Sequence, residues 1–114
     1  TEIGYTTRAD PAFEPWIWPD ALTGVKVDQA AQDEAYTALL APLFDEDWFA
    51  GMFVWRFYAD PDDMSQEAEW GFSPRGKLAE LAVRDAFAMP WAADGNRFRR
   101  AAFATEAATP IGLY

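Results

Sequence analysis

Between Trp48 and Tyr58 the chain runs almost without interruption through apolar and aromatic residues, WFAGMFVWRFY. A continuous run of this length, broken by one Gly and one Arg, is the pattern of a strand buried on both faces, as in a parallel sheet covered by helices. It is far short of the roughly 20 residues that cross a bilayer as a helix. The segment before it reads as a helix from Asp28 to Phe44. Asp28 is suited to the N-cap, Ala35, Tyr36, Leu39, Leu40 and Leu43 share a 3.6-residue stripe, and Pro42 falls in the last turn. The acids Asp45-Glu46-Asp47 that follow would oppose the helix dipole, so they are expected in a loop. A first strand is expected at Thr1–Tyr5, closed by Gly4. A second helix is expected to open at Ser73-Pro74, because proline at the first helical position loses only an N–H that was orphaned anyway. Leu78, Leu81, Ala82, Ala86 and Met89 would line its apolar face until Pro90.

The order strand, helix, strand, helix implies parallel strands joined by right-handed crossovers, hence an α/β fold. Two connections, about 6–27 and 59–72, are long and leave the carboxyl ends of the strands, where barrels and open sheets place their sites. The return after the first helix is short. Long loops on one side and short ones on the other is the asymmetry of a barrel. The chain opens on Thr1-Glu2-Ile3-Gly4-Tyr5 with no initiator Met and no preceding cap, and so reads as a piece of something larger. Residues 90–114 form a separate compositional unit: they carry three basic and two acidic residues, against six and seventeen in residues 1–89. They are expected to be a weakly ordered C-terminal extension, with a basic patch at Arg97–Arg100. No internal repeat or low-complexity tract stands out.

The composition excludes several chemistries. With no Cys and no His, the chain offers neither a disulfide scaffold, a Cys/His zinc module nor a Ser-His-Asp triad. A net charge of −10 disfavours phosphate backbones and anionic membrane surfaces, so neither nucleic acid nor membrane is an expected partner. Asp60-Pro61-Asp62-Asp63 reads either as a hard-cation site or as an Asp-Pro turn. Its spacing does not fit the twelve-residue calcium loop, and no metal or other cofactor is expected. Arg56 can pair with these acids or with Glu2.

Glu2 is the first candidate for chemistry. A carboxylate at the C-terminal end of a strand points into a barrel mouth, and glycoside hydrolysis needs two such groups, one ionised and one protonated. Taken alone, Glu2 reads more readily as an exposed residue at the chain's start. Tyr5 could donate a hydrogen bond that keeps such a nucleophile ionised. Trp55, where the run turns polar, is either a core aromatic or a flat face for the C–H side of a pyranose. Trp16 and Trp18, bracketed by Pro15 and Pro19, are either stacking platforms for carbohydrate or plugs that pin a long loop.

Taken in order, Thr1-Glu2-Ile3-Gly4-Tyr5, the Pro15-Trp16 loop, Asp28 with Gln32 and Tyr36, Gly51-Met52-Phe53-Val54-Trp55 and Gly71-Phe72-Ser73-Pro74-Arg75-Gly76-Lys77 resemble the C-terminal quarter of glycoside hydrolase family 113, the β-mannanase-like TIM barrels. The resemblance covers about residues 1–89. It implies strands seven and eight of a (β/α)8 barrel with their helices, the remainder of the barrel preceding Thr1. It also implies retaining hydrolysis of a β-linked glycan such as β-mannan. By this resemblance Glu2 is the nucleophile, Trp55 ends strand eight and floors the sugar subsite, and Ser73-Pro74 opens the last helix; Tyr5, Trp16 and Trp18 remain the further substrate-binding candidates. The acid/base Glu that follows strand four, next to an Asn, has no counterpart here, so the chain alone is expected to be inactive. Met52-Phe53-Val54 and Arg56 depart from the Trp- and Asn-richer versions of strand eight. Two other classes compete: a non-catalytic carbohydrate-binding relative of the barrel, and a stand-alone α/β interaction protein, which would unfold cooperatively as residues 1–114.

Overall fold

The computed structural model describes residues 2–18, 21–44, 46, 48–60, 62, 67 and 69–88. Thr1, Pro19, Asp45, Asp47, Pro61, Asp63, Met89 and the extension 90–114 lie outside them, and with them the expectations placed there. Four elements follow in the expected order: β1 (Glu2–Ile3), α1 (Gln29–Leu43), β2 (Phe53–Val54) and α2 (Leu78–Ala88). The strands pair in parallel, Glu2 opposite Phe53 and Ile3 opposite Val54, and the Trp55 N–H donates to the Ile3 carbonyl at 2.7 Å. The described residues form a small α/β unit of two α-helices and a two-stranded parallel sheet.

Helix α1 starts where local chemistry dictates. The Asp28 carboxylate accepts the Ala31 N–H at 2.9 Å, supplying one of the donors that a helix start leaves orphaned. Pro42 is accommodated in its last turn. The side chains it buries are Gln32, Tyr36 and Leu40, successive i, i+4 positions on one face. Tyr36 and Leu40 join Phe44, Phe49, Met52, Ala79, Val83 and Ala86 in a single core, against which Ile3, Tyr5 and Val54 pack. Full burial of side chains such as Leu40 is worth about 1.5–3 kcal/mol each. Both helices therefore cover the same face of the sheet.

Three expectations are corrected. The Trp48–Tyr58 run is not buried on both faces. Only Phe53–Val54 is strand, and burial alternates through it: Met52 is buried and Val54 half-buried, whereas Phe53 is 74% and Trp55 37% exposed. Among the described residues helices cover one side only, and the aromatic residues that made the run look continuous are the ones left outside it. Next, α2 opens at Leu78, not at Ser73-Pro74. Gly76 takes a left-handed φ of 74°, which interrupts any helix begun at Pro74. Ser73 Oγ instead accepts the N–H groups of Arg75 and Tyr58, tying the turn to the exit of β2. The helix start is supplied by Glu80, which accepts the Gly76 N–H at 2.7 Å, and by Gln29, which accepts the Leu78 N–H from α1. Last, α2 buries Ala79, Val83 and Ala86, while Leu78 is exposed. The bulk at the helix–helix contact comes from Tyr36 and Leu40 of α1, and small residues opposite them let the helices approach.

The two long connections are stitched together behind the strand ends. Arg8 bridges Val27, closing the first loop on itself. The Thr7 N–H reaches the carbonyls of Trp70 and Gly71, and Thr7 Oγ1 donates to Gly71 at 2.9 Å. Lys77 Nζ donates to Thr7 Oγ1 at 2.6 Å. Burial lowers the Lys77 ammonium pKa, an effect opposed by the negative charges of Glu67 and Glu69. Gln32 Nε2 donates to Tyr5 and Phe72 carbonyls, at 2.8 and 3.1 Å, so one buried amide grips both loops. Asp60 Oδ1 accepts the Asp62 N–H, which makes the start of the acidic cluster an Asx turn. No helix among the described residues is long and apolar enough to cross a membrane.

Candidate functional site

The sheet has a helix-covered face and an open one, and alternation decides which residues occupy each. Ile3 and Val54 pack inward, so Glu2 and its register partner Phe53 project to the open face, and both are exposed. Trp55 follows two residues after Phe53. Gly4, two residues after Glu2, makes room for it: a Cβ on Gly4 would come within 2.8 Å of Trp55 Cβ and 3.3 Å of the Phe72 ring. Glycine is required at position 4 for this close approach, not for an unusual φ. Among the described residues Glu2 makes no hydrogen bond or ion pair, so its carboxylate is available to a ligand on that face.

Tyr5 lies on the other side. Its ring meets Tyr36 edge-on at 5.3 Å and belongs with the core. Burial raises the pKa of the Tyr5 hydroxyl and, more strongly, that of Tyr36. No hydrogen bond joins Tyr5 to Glu2 among the described residues.

The tryptophan pair of the first loop divides. Trp16 is 71% exposed and joins no ring contact among the described residues. Trp18 is drawn in: its ring lies 6.1 Å from Trp55 and 5.9 Å from Phe72, both nearly perpendicular, yet it stays 44% exposed. Edge-to-face pairs of this kind add about 0.5–1.5 kcal/mol beyond their burial. Trp18 thus pins its loop and still presents indole surface next to Trp55.

Arg56, directly after Trp55, has a left-handed φ of 56°. Its guanidinium sits 4.5 Å from the Trp18 ring centroid and 5.9 Å from that of Trp55. It donates to the Tyr58 hydroxyl at 3.0 Å and pairs with Glu67 at 3.4 Å. Among the described residues its partner is therefore neither Glu2 nor the 60–63 cluster. The Glu67 side chain is only 3% exposed. Its other oxygen accepts the N–H groups of Phe72 and Ser73, at 2.6 and 3.3 Å, and a Cβ on Gly71 would fall inside it. Sequence reasoning missed Glu67 altogether, since it is one acid among many in an acidic loop. The tight Gly71-Phe72-Ser73 segment was the available hint of a carboxylate that needs backbone donors.

Among the described residues no three acidic, His or Cys side chains converge as a metal site would require. No protein-family model matches the chain, and neither curated proteins nor solved structures give a match.

Proposed function

We propose that the chain forms the last two βα units of a (β/α)8 glycoside hydrolase similar to family 113, with Glu2 as nucleophile in retaining hydrolysis of a β-linked glycan such as β-mannan. The observation that carries this reading is the open face of the parallel pair. An exposed carboxylate from the first strand, without a partner among the described residues, shares it with Trp55 directly after the second, and a partly exposed Trp18 stands alongside. In a closed barrel the helix-free face of each strand lines the interior and its carboxyl end the mouth, where active sites lie. Glu2 would attack the anomeric carbon and displace the leaving oxygen, which takes its proton from an acid on another strand. The glycosyl ester would then be hydrolysed with that acid acting as base. Trp55 and Trp18 would supply the apolar wall for the sugar ring. The six remaining units and the strand-four acid would come from preceding polypeptide.

Assays of residues 1–114 alone on β-mannan and aryl β-mannosides are expected to show no enzyme-like turnover, because acid assistance worth about 10²–10⁴ in rate is missing. Joined to six βα units that supply the acid, the chain should hydrolyse both with retention. Glu2→Ala should abolish turnover, and azide should restore release of an activated aryl group, giving the glycosyl azide of inverted configuration. Full activity after Glu2→Ala rejects the assignment. Saccharide binding without turnover in the joined protein would instead favour a non-catalytic carbohydrate-binding relative.

A further inference from the structure

Trp18 stands on the connection of residues 6–27, whose ends are joined by the Arg8–Val27 bridge. Its side chain is fixed by three groups from elsewhere in the chain: the rings of Trp55 and Phe72 and the guanidinium of Arg56. The two ring contacts are edge-on and tolerate sliding. The cation is different, because its own position is fixed. Arg56 donates to the Tyr58 hydroxyl and forms a 3.4 Å ion pair with Glu67, whose facing oxygen is buried and accepts no hydrogen bond among the described residues. Glu67 is itself immobilised by two backbone N–H groups in a space that a side chain at residue 71 would fill.

The left-handed backbone at Arg56 is disfavoured for any residue with a Cβ. It turns the side chain back toward the indoles, and strain of this kind persists where surrounding contacts over-determine the conformation. We propose that Arg56 is a positioning residue: set against Trp18 and Trp55, hydrogen-bonded to Tyr58 and held by the charge of the buried Glu67, it sets the angle and spacing of the two indoles that form the sugar-stacking wall. The role of the wall rests on the glycan reading above; the clamp rests on geometry alone. The chain has a second arginine over an aromatic ring, Arg75 at 5.6 Å from Phe57, paired at 3.5 Å with a partly exposed Glu80. That pair lacks the buried, amide-bound carboxylate that makes Arg56 a fixed point.

The test separates clamp from function. Two indoles this close and nearly perpendicular give an exciton couplet in the far-ultraviolet circular dichroism of the 114-residue chain, identified as the signal that Trp18→Phe removes. Arg56→Met keeps a Cβ at the strained position and a linear side chain but neither stacks as a plane nor pairs with Glu67. It should reduce the couplet at least about twofold while the helical signal is unchanged. Arg56→Lys, which keeps charge without the planar fork, should retain an intermediate couplet. A full-strength couplet in Arg56→Met overturns the clamp. Should Arg56→Met cost the helices, Glu67→Gln and Arg56→Lys answer the same question, and an undiminished couplet in both overturns it. Titration with β-mannotriose, followed by tryptophan fluorescence, is the second arm. If the parent chain binds, Arg56→Met should weaken binding about three- to tenfold. A couplet that responds to Arg56 upholds the clamp whether or not the 114-residue chain binds saccharide; absence of saccharide binding in the protein joined to six βα units counts against the glycan reading.

Discussion

The two faces of the β1–β2 pair are made from the same five-residue stretches and share almost nothing else. On the helix side Ile3, Tyr5 and Val54 close over a core in which Tyr36, Leu40 and Ala86 have no exposed surface. On the other side Glu2 and Phe53 stand in solvent, and Trp55 and Trp18 are partly covered by each other and by Arg56. A strand face this aromatic is seldom left bare without a use, since contiguous exposed apolar surface marks an interaction or ligand site. The difference teaches that a continuous hydrophobic run can serve two purposes at once. Its inward residues hold the fold, and its outward ones are left to meet whatever binds the open face.

The comparison is sharpest in paired substitutions. Leu40→Ala should lower stability by about 2–5 kcal/mol, because it deletes atoms from a closed core that relaxes only in part. Phe53→Ser should change it by less than about 0.5 kcal/mol, as for other surface positions. Both are read from the denaturant midpoint of the helical dichroism, and equal costs would mean that something covers the open face. Gly71→Ala comes next, at about 1–3 kcal/mol, since the new methyl must displace Glu67. It should also release Arg56 and diminish the Trp18–Trp55 couplet, linking a packing defect behind the site to the wall in front. Asp28→Ala, which removes only the α1 cap, should cost about 1 kcal/mol and leave the couplet intact.

The smallest effect concerns Asp33, which has a buried oxygen without a hydrogen-bond partner among the described residues. Burial raises its carboxyl pKa above the ordinary value. The folded state therefore holds that proton more tightly than the unfolded one. The resulting stabilisation is complete below the unfolded pKa and is lost as pH rises through the folded one. Asp33→Asn should consequently raise the midpoint slightly at pH 7, with the gain over the parent shrinking as the pH falls toward 3. A gain independent of pH would contradict this.

Helix α1 was legible because its signals are local: a cap at Asp28, a stripe through Tyr36 and Leu40, a proline tolerated near the end. The parallel pairing followed from the alternation of elements. The extent of β2 was not legible, because apolar residues alone cannot say whether a second layer exists to cover Phe53 and Trp55. Nor was the start of α2, where a left-handed glycine at position 76 overrode a strong proline signal three residues earlier. At the site, Glu2 and Trp55 were picked out by their strand positions. Trp16 and Trp18, in contrast, look alike in sequence. Only contacts with Trp55, Phe72 and Arg56, distant along the chain from both, distinguish them.

The shared grip of Gln32 bears on how this architecture tolerates change in length. One amide reaching both the Tyr5 and Phe72 carbonyls fixes the offset between the roots of two loops, whatever lies further out. Insertions beside Gly24, where an added Cβ would meet nothing within 4 Å, are expected to leave the anchor points in place, so the outer rim should accept extra length while its foundations stay in register.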